Sequence, residues 1–295
     1  MAPFLAFRAA IIQSIRTFFT GREYLEVDTP IRLPCLIPEM YIEPEESSGW
    51  FLQTSPEMCM KRLLAAGYPR IFQICRCFRK GERGSRHLPE FTMLEWYRSG
   101  IDYNALMAEC REMLCFLAAR LDCPGRSAQN LILRDDWEFL TVREAFRRHA
   151  PLSLEQALAD DCFDETLVSY IEPHLGKERP AFLHDYPAEL GSLARLKEQD
   201  RSVAERFELY IDGLELANGF SELTDAREQQ QRFTKEMALM HARGRRSGPM
   251  PVRFLDDLAE LDAAAGIALG VDRLVMLLCG ARTIDEVVSF PPETL

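Results

Sequence analysis

Asp212-Gly213 is the two-residue signature of a tight hairpin turn. It sits between two runs of alternating apolar and polar residues, 206–211 and 214–220. Pairing about this turn sets Tyr210 opposite Glu215 and Glu208 opposite Ala217. Phe207, Leu209, Ile211, Leu214 and Leu216 then share one buried face. Further strands are predicted at about 24–27, 71–79, 90–98 and 181–185, and the pairs 71–79/90–98 and 206–211/214–220 are joined by loops too short for βαβ crossovers. The expected fold is α+β, an antiparallel sheet flanked by helices.

Helices are predicted at about 3–20, 103–120, 225–242 and 270–279, with another starting near Ser55-Pro56-Glu57. There Ser55 reads as the N-cap and Pro56 as the first helical residue. The first helix carries Phe4, Phe7, Ile11, Ile15 and Phe18 at helical spacing. It reads as part of the fold, although an acid-poor, arginine-containing opening weakly resembles a mitochondrial presequence. Residues about 126–178 read as a less regular insertion with a short helix at 154–160. No secretory signal layout or membrane-spanning run is present; the most apolar stretch, 266–278, is broken by Asp272-Arg273. Nine cysteines in an odd, scattered set without a CxxC pair imply a reducing cytoplasmic setting. Cys75-x-Cys77 is expected to send its thiols to opposite strand faces, which argues against a zinc site.

The net charge is −11, unfavourable for sequence-independent binding to a phosphate backbone. Positive charge is local. Residues 76–87 hold Arg76, Arg79, Lys80, Arg83, Arg86 and His87 against one acid, Glu82, at a hairpin tip loosened by Gly81 and Gly84. A second run, Arg243, Arg245 and Arg246, is the other place where a protein or RNA partner would meet positive charge.

The strand after the first basic loop alternates Phe91, Met93, Glu95 and Tyr97 on one face with Thr92, Leu94 and Trp96 on the other. A carboxylate among aromatics is costly without a cationic partner. That face suits a flat ring on Phe91 and an amine held by Glu95 and Tyr97. On the hairpin, Glu208 and Glu215 fall on one face as diagonal neighbours, about 7–8 Å apart at the backbone. Two unpaired carboxylates so placed suit a Mg²⁺ shared with substrate phosphates. Asn218, Phe220 and Glu222 form a second polar cluster, and the pattern Gly266-Ile-Ala-Leu-Gly270-Val-Asp-Arg273 opens an apolar helix.

Together these residues resemble a known family. The first helix, its strand and Pro30 resemble motif 1 of class II aminoacyl-tRNA synthetases. Phe78-Arg79…Arg86-His87-x-Pro89-Glu90-Phe91-Thr92-Met93-x-Glu95-x-Tyr97 resembles motif 2 of lysyl-tRNA synthetases. Glu208…Glu215-Leu-Ala-Asn218-Gly-Phe220-Ser-Glu222 and Gly270-Val-Asp-Arg273 resemble the lysine-type site and motif 3. The match runs in order along nearly the whole chain. Leu94-Glu-Trp-Tyr-Arg98 and Thr224-Asp-Ala-Arg-Glu-Gln-Gln-Gln-Arg-Phe233 resemble the elongation factor P lysine ligases, truncated paralogs that place (R)-β-lysine on a lysine of elongation factor P.

The resemblance implies one catalytic domain over 1–295 and no anticodon-binding domain. It implies ATP as cofactor, with Arg79 and Arg273 on its phosphates, His87 holding the nucleotide and Phe91 stacked on adenine. It implies Mg²⁺ on Glu208 and Glu215. The amino-acid pocket would comprise Ser55, Glu57, Glu95, Tyr97, Asn218, Phe220, Glu222 and Ala268, the last standing where lysyl-tRNA synthetases usually have glycine. Two departures stand out: the usual Phe-Arg-x-Glu becomes Phe78-Arg79-Lys80-Gly81, leaving Glu82 to serve, and Leu88 replaces a usual Asn. Expected partners are elongation factor P and (R)-β-lysine or lysine, with no stable tRNA binding, no membrane, and a homodimer through motif 1. The alternatives are a truncated synthetase acylating tRNA or a small amine, and a non-catalytic nucleotide-binding paralog.

Overall fold

Trp96 is wholly buried between α-helices while its neighbour Tyr97 is buried on the opposite sheet face. The alternation along this strand therefore divides two cores. A computed structural model describes residues 4–295; the first residue of the helix expected at 3–20 lies outside the described residues.

In chain order the elements are α1 (Leu5–Thr20), β1 (Leu25–Glu26), β2 (Arg32–Leu33), β3 (Glu46–Ser47), β4 (Trp50–Leu52), α2 (Glu57–Ala65), β5 (Arg70–Phe78) and β6 (Glu90–Ser99). Then come α3 (Tyr103–Arg120), α4 (Arg126–Ile132), β7 (Glu138–Thr141), α5 (Val142–His149), α6 (Leu154–Ala159), α7 (Phe163–Thr166) and β8 (Ala181–Pro187). The chain closes with β9 (Val203–Ile211), β10 (Leu214–Ser221), α8 (Ala226–Ala242), α9 (Val252–Leu258), β11 (Ala264–Gly270) and α10 (Val271–Cys279).

Eight strands form the main sheet in the order β1-β5-β6-β11-β10-β9-β8-β7, and β2-β4-β3 form a small second sheet. The main sheet is antiparallel except at its two ends, where β1 joins β5 and β7 joins β8 in parallel. Helices α1, α3 and α10 cover one face. There Phe19 stacks on Phe72 at 4.9 Å and meets Tyr24 edge-on at 5.1 Å. Such pairs add about 0.5–1.5 kcal/mol beyond the area they bury. The other face carries a smaller core under α2, α8 and α9, built on Met60, Ile71, Phe233 and Phe254.

Caps follow the sequence. Asp102 accepts from the Ala105 amide at 3.0 Å, and Asp225 accepts from the Arg227 and Glu228 amides, so α3 and α8 begin where an acidic N-cap allows. Gly280 ends α10 in the left-handed region. The α2 start differs by one residue. Pro56 occupies the cap position, and Ser55 Oγ accepts from the Glu57 amide at 3.4 Å.

Several other readings are corrected. Residues 126–178 are not irregular: they fold into α4–α7, and β7 joins the edge of the main sheet. Between Glu215 and Ala217 a bulge shifts the register, so Glu208 faces Asn218 and not Ala217. Residues 264–270 form a central strand, β11, and 252–258 a helix, α9, neither foreseen. Cys75 and Cys77 share a strand face, as positions two apart must, with their sulfurs 3.9 Å apart. All nine cysteines are free thiols. Among the described residues no helix is long and apolar enough to cross a membrane.

Candidate active site

β11 owes its central place to small residues. Its pocket-side positions are Gly266, Ala268 and Gly270, which pair with Tyr97, Glu95 and Met93 of β6. On its other side Gly266 pairs with Phe220 and Ala268 with Asn218 of β10. One cross-sheet row therefore reads Gln73, Glu95, Ala268, Asn218, Glu208. The next reads Ile71, Tyr97, Gly266, Phe220, Arg206. A Cβ on Gly266 would lie 2.1 Å from Tyr97 Cε1 and 2.6 Å from Glu222 Oε1. Only glycine lets the phenol and the carboxylate close over this strand.

Above these rows lies a cavity of about 790 Å³. Its wall includes Ser55, Glu57, Arg79, Glu82, His87, Phe91, Glu95, Tyr97, Glu215, Asn218, Phe220, Ala268 and Arg273. Two residues expected in the same site, Glu208 and Glu222, lie just behind the wall, 7% and 1% exposed. Part of the wall comes from the segment 38–42, a strap along the cavity. Its middle is pinned twice: the Met40 amide donates to Glu236 of α8 at 2.6 Å, and Arg245 donates to the Met40 carbonyl at 2.6 Å. Glu39 on this strap is half-buried, and desolvation lifts its pKa to about 7 even with Arg79 nearby.

The cavity is cationic at one end. Arg273 links the β5–β6 loop to the β9–β10 hairpin: it donates to the Glu215 carbonyl at 2.8 Å and carboxylate at 3.3 Å, and lies 2.6 Å from His87 Nε2. Burial, then the Arg273 charge, lower the His87 pKa, leaving the ring neutral near pH 7. Arg79 lies over the Phe91 ring at 5.2 Å and 3.9 Å from Glu82, and its buried Nε has no hydrogen-bond partner. Such an orphaned donor fits an incoming phosphate oxygen. Not all of the loop's positive charge is free, however. Arg83 is tied to Asp285 and Glu293 at 2.8 Å, and Lys80 to Glu43 at 2.7 Å. In the second basic run Arg245 turns inward to hold the strap, while Arg243 and Arg246 stay exposed, with loose surface ion pairs at 3.7 Å to Asp161 and 3.9 Å to Glu46.

The hairpin carboxylates share a face but are not unpaired. Glu208 takes an Arg206 ion pair at 2.7 Å and the Tyr210 hydroxyl at 2.7 Å, while Glu215 takes Arg273. Burial, then the Glu208 charge, raise the Glu215 pKa, a repulsion that a cation would relieve. Both offer only oxygen donors, which matches Mg²⁺ chemistry. Among the described residues no group of three or more His, Cys, Asp or Glu side chains gathers as a metal cage. A metal here would therefore need phosphate or water oxygens to complete its shell.

The opposite end is acidic. Glu95 is 1% exposed and accepts from the Tyr97 hydroxyl at 2.8 Å. Burial, then Glu57, raise its pKa well above the usual carboxylate range. Burial raises Glu222 to about 8, although Lys61 opposes the rise. Lys61 was not foreseen. It projects from α2 one turn after Glu57, is 2% exposed, and pairs with both Glu57 and Glu222. Its only sequence signal is the Glu57-to-Lys61 spacing of four, which reads equally well as a surface ion pair. Arg206 was also missed, since its place required the bulged register; Gly266 was singled out in the sequence, but not as the residue under Tyr97 and Glu222.

Asp272 anchors this assembly from the opposite side. It is 2% exposed, pairs with Arg8 of α1 at 2.5 Å, and accepts from the Thr92 amide at 2.6 Å. The acid beside Arg273 thus ties the first helix to β6 and α10, not to solvent.

The family model for class II tRNA synthetases (D, K and N) matches residues 1–294. The elongation factor P--(R)-beta-lysine ligases of Salmonella paratyphi B and Salmonella choleraesuis are each 43% identical to this sequence, over 98% of this chain and 94% of theirs. The corresponding ligase of Salmonella enteritidis is 42% identical over the same shares. The chain therefore belongs to the class II tRNA synthetase family, in the branch that holds these ligases.

Proposed function

We propose that the protein is an ATP-dependent, AMP-forming ligase that activates (R)-β-lysine as its acyl-adenylate and transfers it to a lysine side chain of elongation factor P. One observation carries this reading. A single cavity joins an arginine-lined end, built on Arg79 and Arg273, to a buried acidic end, built on Glu57, Glu95 and Glu222. Such a cavity matches a molecule that is anionic at one end and amine-bearing at the other. The names and near full-length identity of the ligases above support the same assignment.

In the first step the substrate carboxylate attacks the ATP α-phosphorus, the α–β bridging bond breaks, and pyrophosphate leaves. No general base is needed, so the protein's part is alignment and charge stabilisation. Arg79 and Arg273 face the phosphates, neutral His87 supports Arg273, and Phe91 offers a ring face to adenine. Glu208 and Glu215 would hold Mg²⁺, which supplies further neutralisation of phosphate charge. In the second step a neutral acceptor amine attacks the adenylate carbonyl, the bond from that carbon to the AMP oxygen breaks, and AMP and one proton leave.

The cytoplasm is the setting proposed, supported by nine free thiols. A homodimer through the motif 1 region is proposed as well, supported by exposed Leu25 and Ile31 after α1. Stable tRNA binding is not part of the proposal: the chain carries −11.

Pyrophosphate exchange into ATP tests the first step. The protein should support exchange with (R)-β-lysine and more weakly with lysine, and Glu215→Gln should reduce it by on the order of 100-fold through loss of metal charge. No exchange with either amino acid would overturn the assignment; near full exchange by Glu215→Gln would overturn the metal ligand.

A further inference from the structure

The acidic end contains a cation of its own. Lys61 Nζ lies 2.5 Å from Glu222 Oε2, also pairs with Glu57, and sits 5.0 Å from the Phe220 ring centroid. An ammonium group is strongly hydrated, and burying one is costly unless it is paired. Burial alone would lower the Lys61 pKa, but Glu222 and then Glu57 drive it above the ordinary lysine value, so it stays charged.

Three carboxyl groups, Glu57, Glu95 and Glu222, converge here, and one fixed cation stands between two of them. Glu95 has only the Tyr97 hydroxyl as a donor. Neither oxygen of Glu222 receives a well-directed hydrogen bond, although Lys61 lies beside it. Two carboxyl groups are left without a cation. They hold protons while the pocket is empty and ionise when a ligand brings two ammonium groups. An amino acid with one ammonium leaves one of them uncompensated.

We propose that Lys61 is a positioning and specificity-determining residue of this pocket: an internal third ammonium that orients Glu57 and Glu222 and sets the pocket to receive two ammonium groups from its substrate. The proposal rests on the amino-acid pocket assigned above and explains how that pocket selects a diamino acid. The other titratable groups facing Lys61 and Glu222 are Glu57 from α2 and Glu95 and Tyr97 from β6, with Cys75 of β5 next to Glu95 and Glu39 of the strap acting on Glu57.

The test compares wild type with Lys61→Met, which keeps length and removes charge, and Lys61→Arg, which keeps charge. Pyrophosphate exchange gives KM and kcat for (R)-β-lysine and lysine across pH 6–9. Lys61→Met should raise KM by on the order of 100-fold, the scale of losing one partner of a buried ion pair, with kcat within about threefold. In wild type KM should fall as pH rises toward about 8, where Glu222 loses its proton. In Lys61→Met that fall should move to higher pH, because no fixed cation favours ionised Glu222. Lys61→Arg should recover part of the loss.

A purely structural lysine would lower the folded yield of Lys61→Met and leave the KM of the folded enzyme and its pH profile unchanged; that result overturns the proposal. A lower KM would also overturn it, since Lys61 would then be a tethered competitor that the substrate displaces. If Lys61→Met does not fold, calorimetry on the wild type decides. Diamino-acid binding near pH 7 in buffers of different ionisation enthalpy should release about one to two protons, and release of none contradicts the charge count. Absence of wild-type exchange with any diamino acid would count against the function itself. Wild-type exchange with an unmoved KM in Lys61→Met counts against Lys61 alone.

Discussion

Tyr97 and Glu222 meet β11 where the strand offers no side chain, and this contact fixes the shape of the acidic end. Gly266→Ala adds one carbon into space already held by the Tyr97 ring at 2.1 Å. The ring and the carboxylate must move, at a cost of about 1–3 kcal/mol. The expected outcome is a diamino-acid KM raised by about 10- to 100-fold with the ATP KM nearly unchanged, because the nucleotide end is untouched. Steady-state exchange kinetics with each substrate varied in turn checks this; an ATP KM that rises equally contradicts it. Much of this scale was legible beforehand. Alternation along 91–97 put Glu95 and Tyr97 on one face and Trp96 on the other, because a strand leaves no other choice. Lys61 was not legible. Four residues after Glu57 on an ordinary helix, it carries no mark of burial until α2 is set against β6 and the end of β10.

Element by element, the parts with strong local signals formed where expected. Asp212 and Gly213 both take positive φ and close the β9–β10 hairpin as their types require. The departures share a physical origin. The bulge after Glu215 is a two-for-one pairing that no local pattern announces. β11 is a run of Gly, Ala, Ile and Leu with poor intrinsic strand propensity, and it forms because strands on both sides supply its hydrogen bonds. β7 is short and pairs in parallel with a strand some 40 residues later. The contact between the first and last helices is equally non-local. Arg8 and Asp272, 264 residues apart, close it with a nearly dry ion pair. Asp272→Ala should cost about 3–5 kcal/mol, since Arg8 is left buried without its partner. Arg8→Met should cost a similar amount, and the double variant well under the sum. Denaturant titration of the three variants measures this; additive losses would show that the pair does not couple α1 to α10.

Over the whole molecule, the −11 charge is distributed, not uniform. Several arginines at and around the cavity are already engaged by acids: Arg83 by Asp285 and Glu293, Arg195 by Glu205, Arg232 by Glu228. Arg79, Arg86 and Arg273 line one end of the cavity, against the Glu57, Glu95 and Glu222 group at the other. A nucleotide and a diamino acid fit that field. The family was legible from the order of its motifs, whereas the engagement of Arg83 by Asp285 and Glu293 and of Arg245 by the Met40 carbonyl was not, because a charge has no partner until the chain is folded. The most direct test of the central claim supplies labelled (R)-β-lysine and ATP to the purified protein with elongation factor P and tRNA in the same reaction. The account predicts label on a lysine of elongation factor P, dependent on ATP, and none on tRNA. Label on tRNA alone, with elongation factor P unmodified, would contradict it.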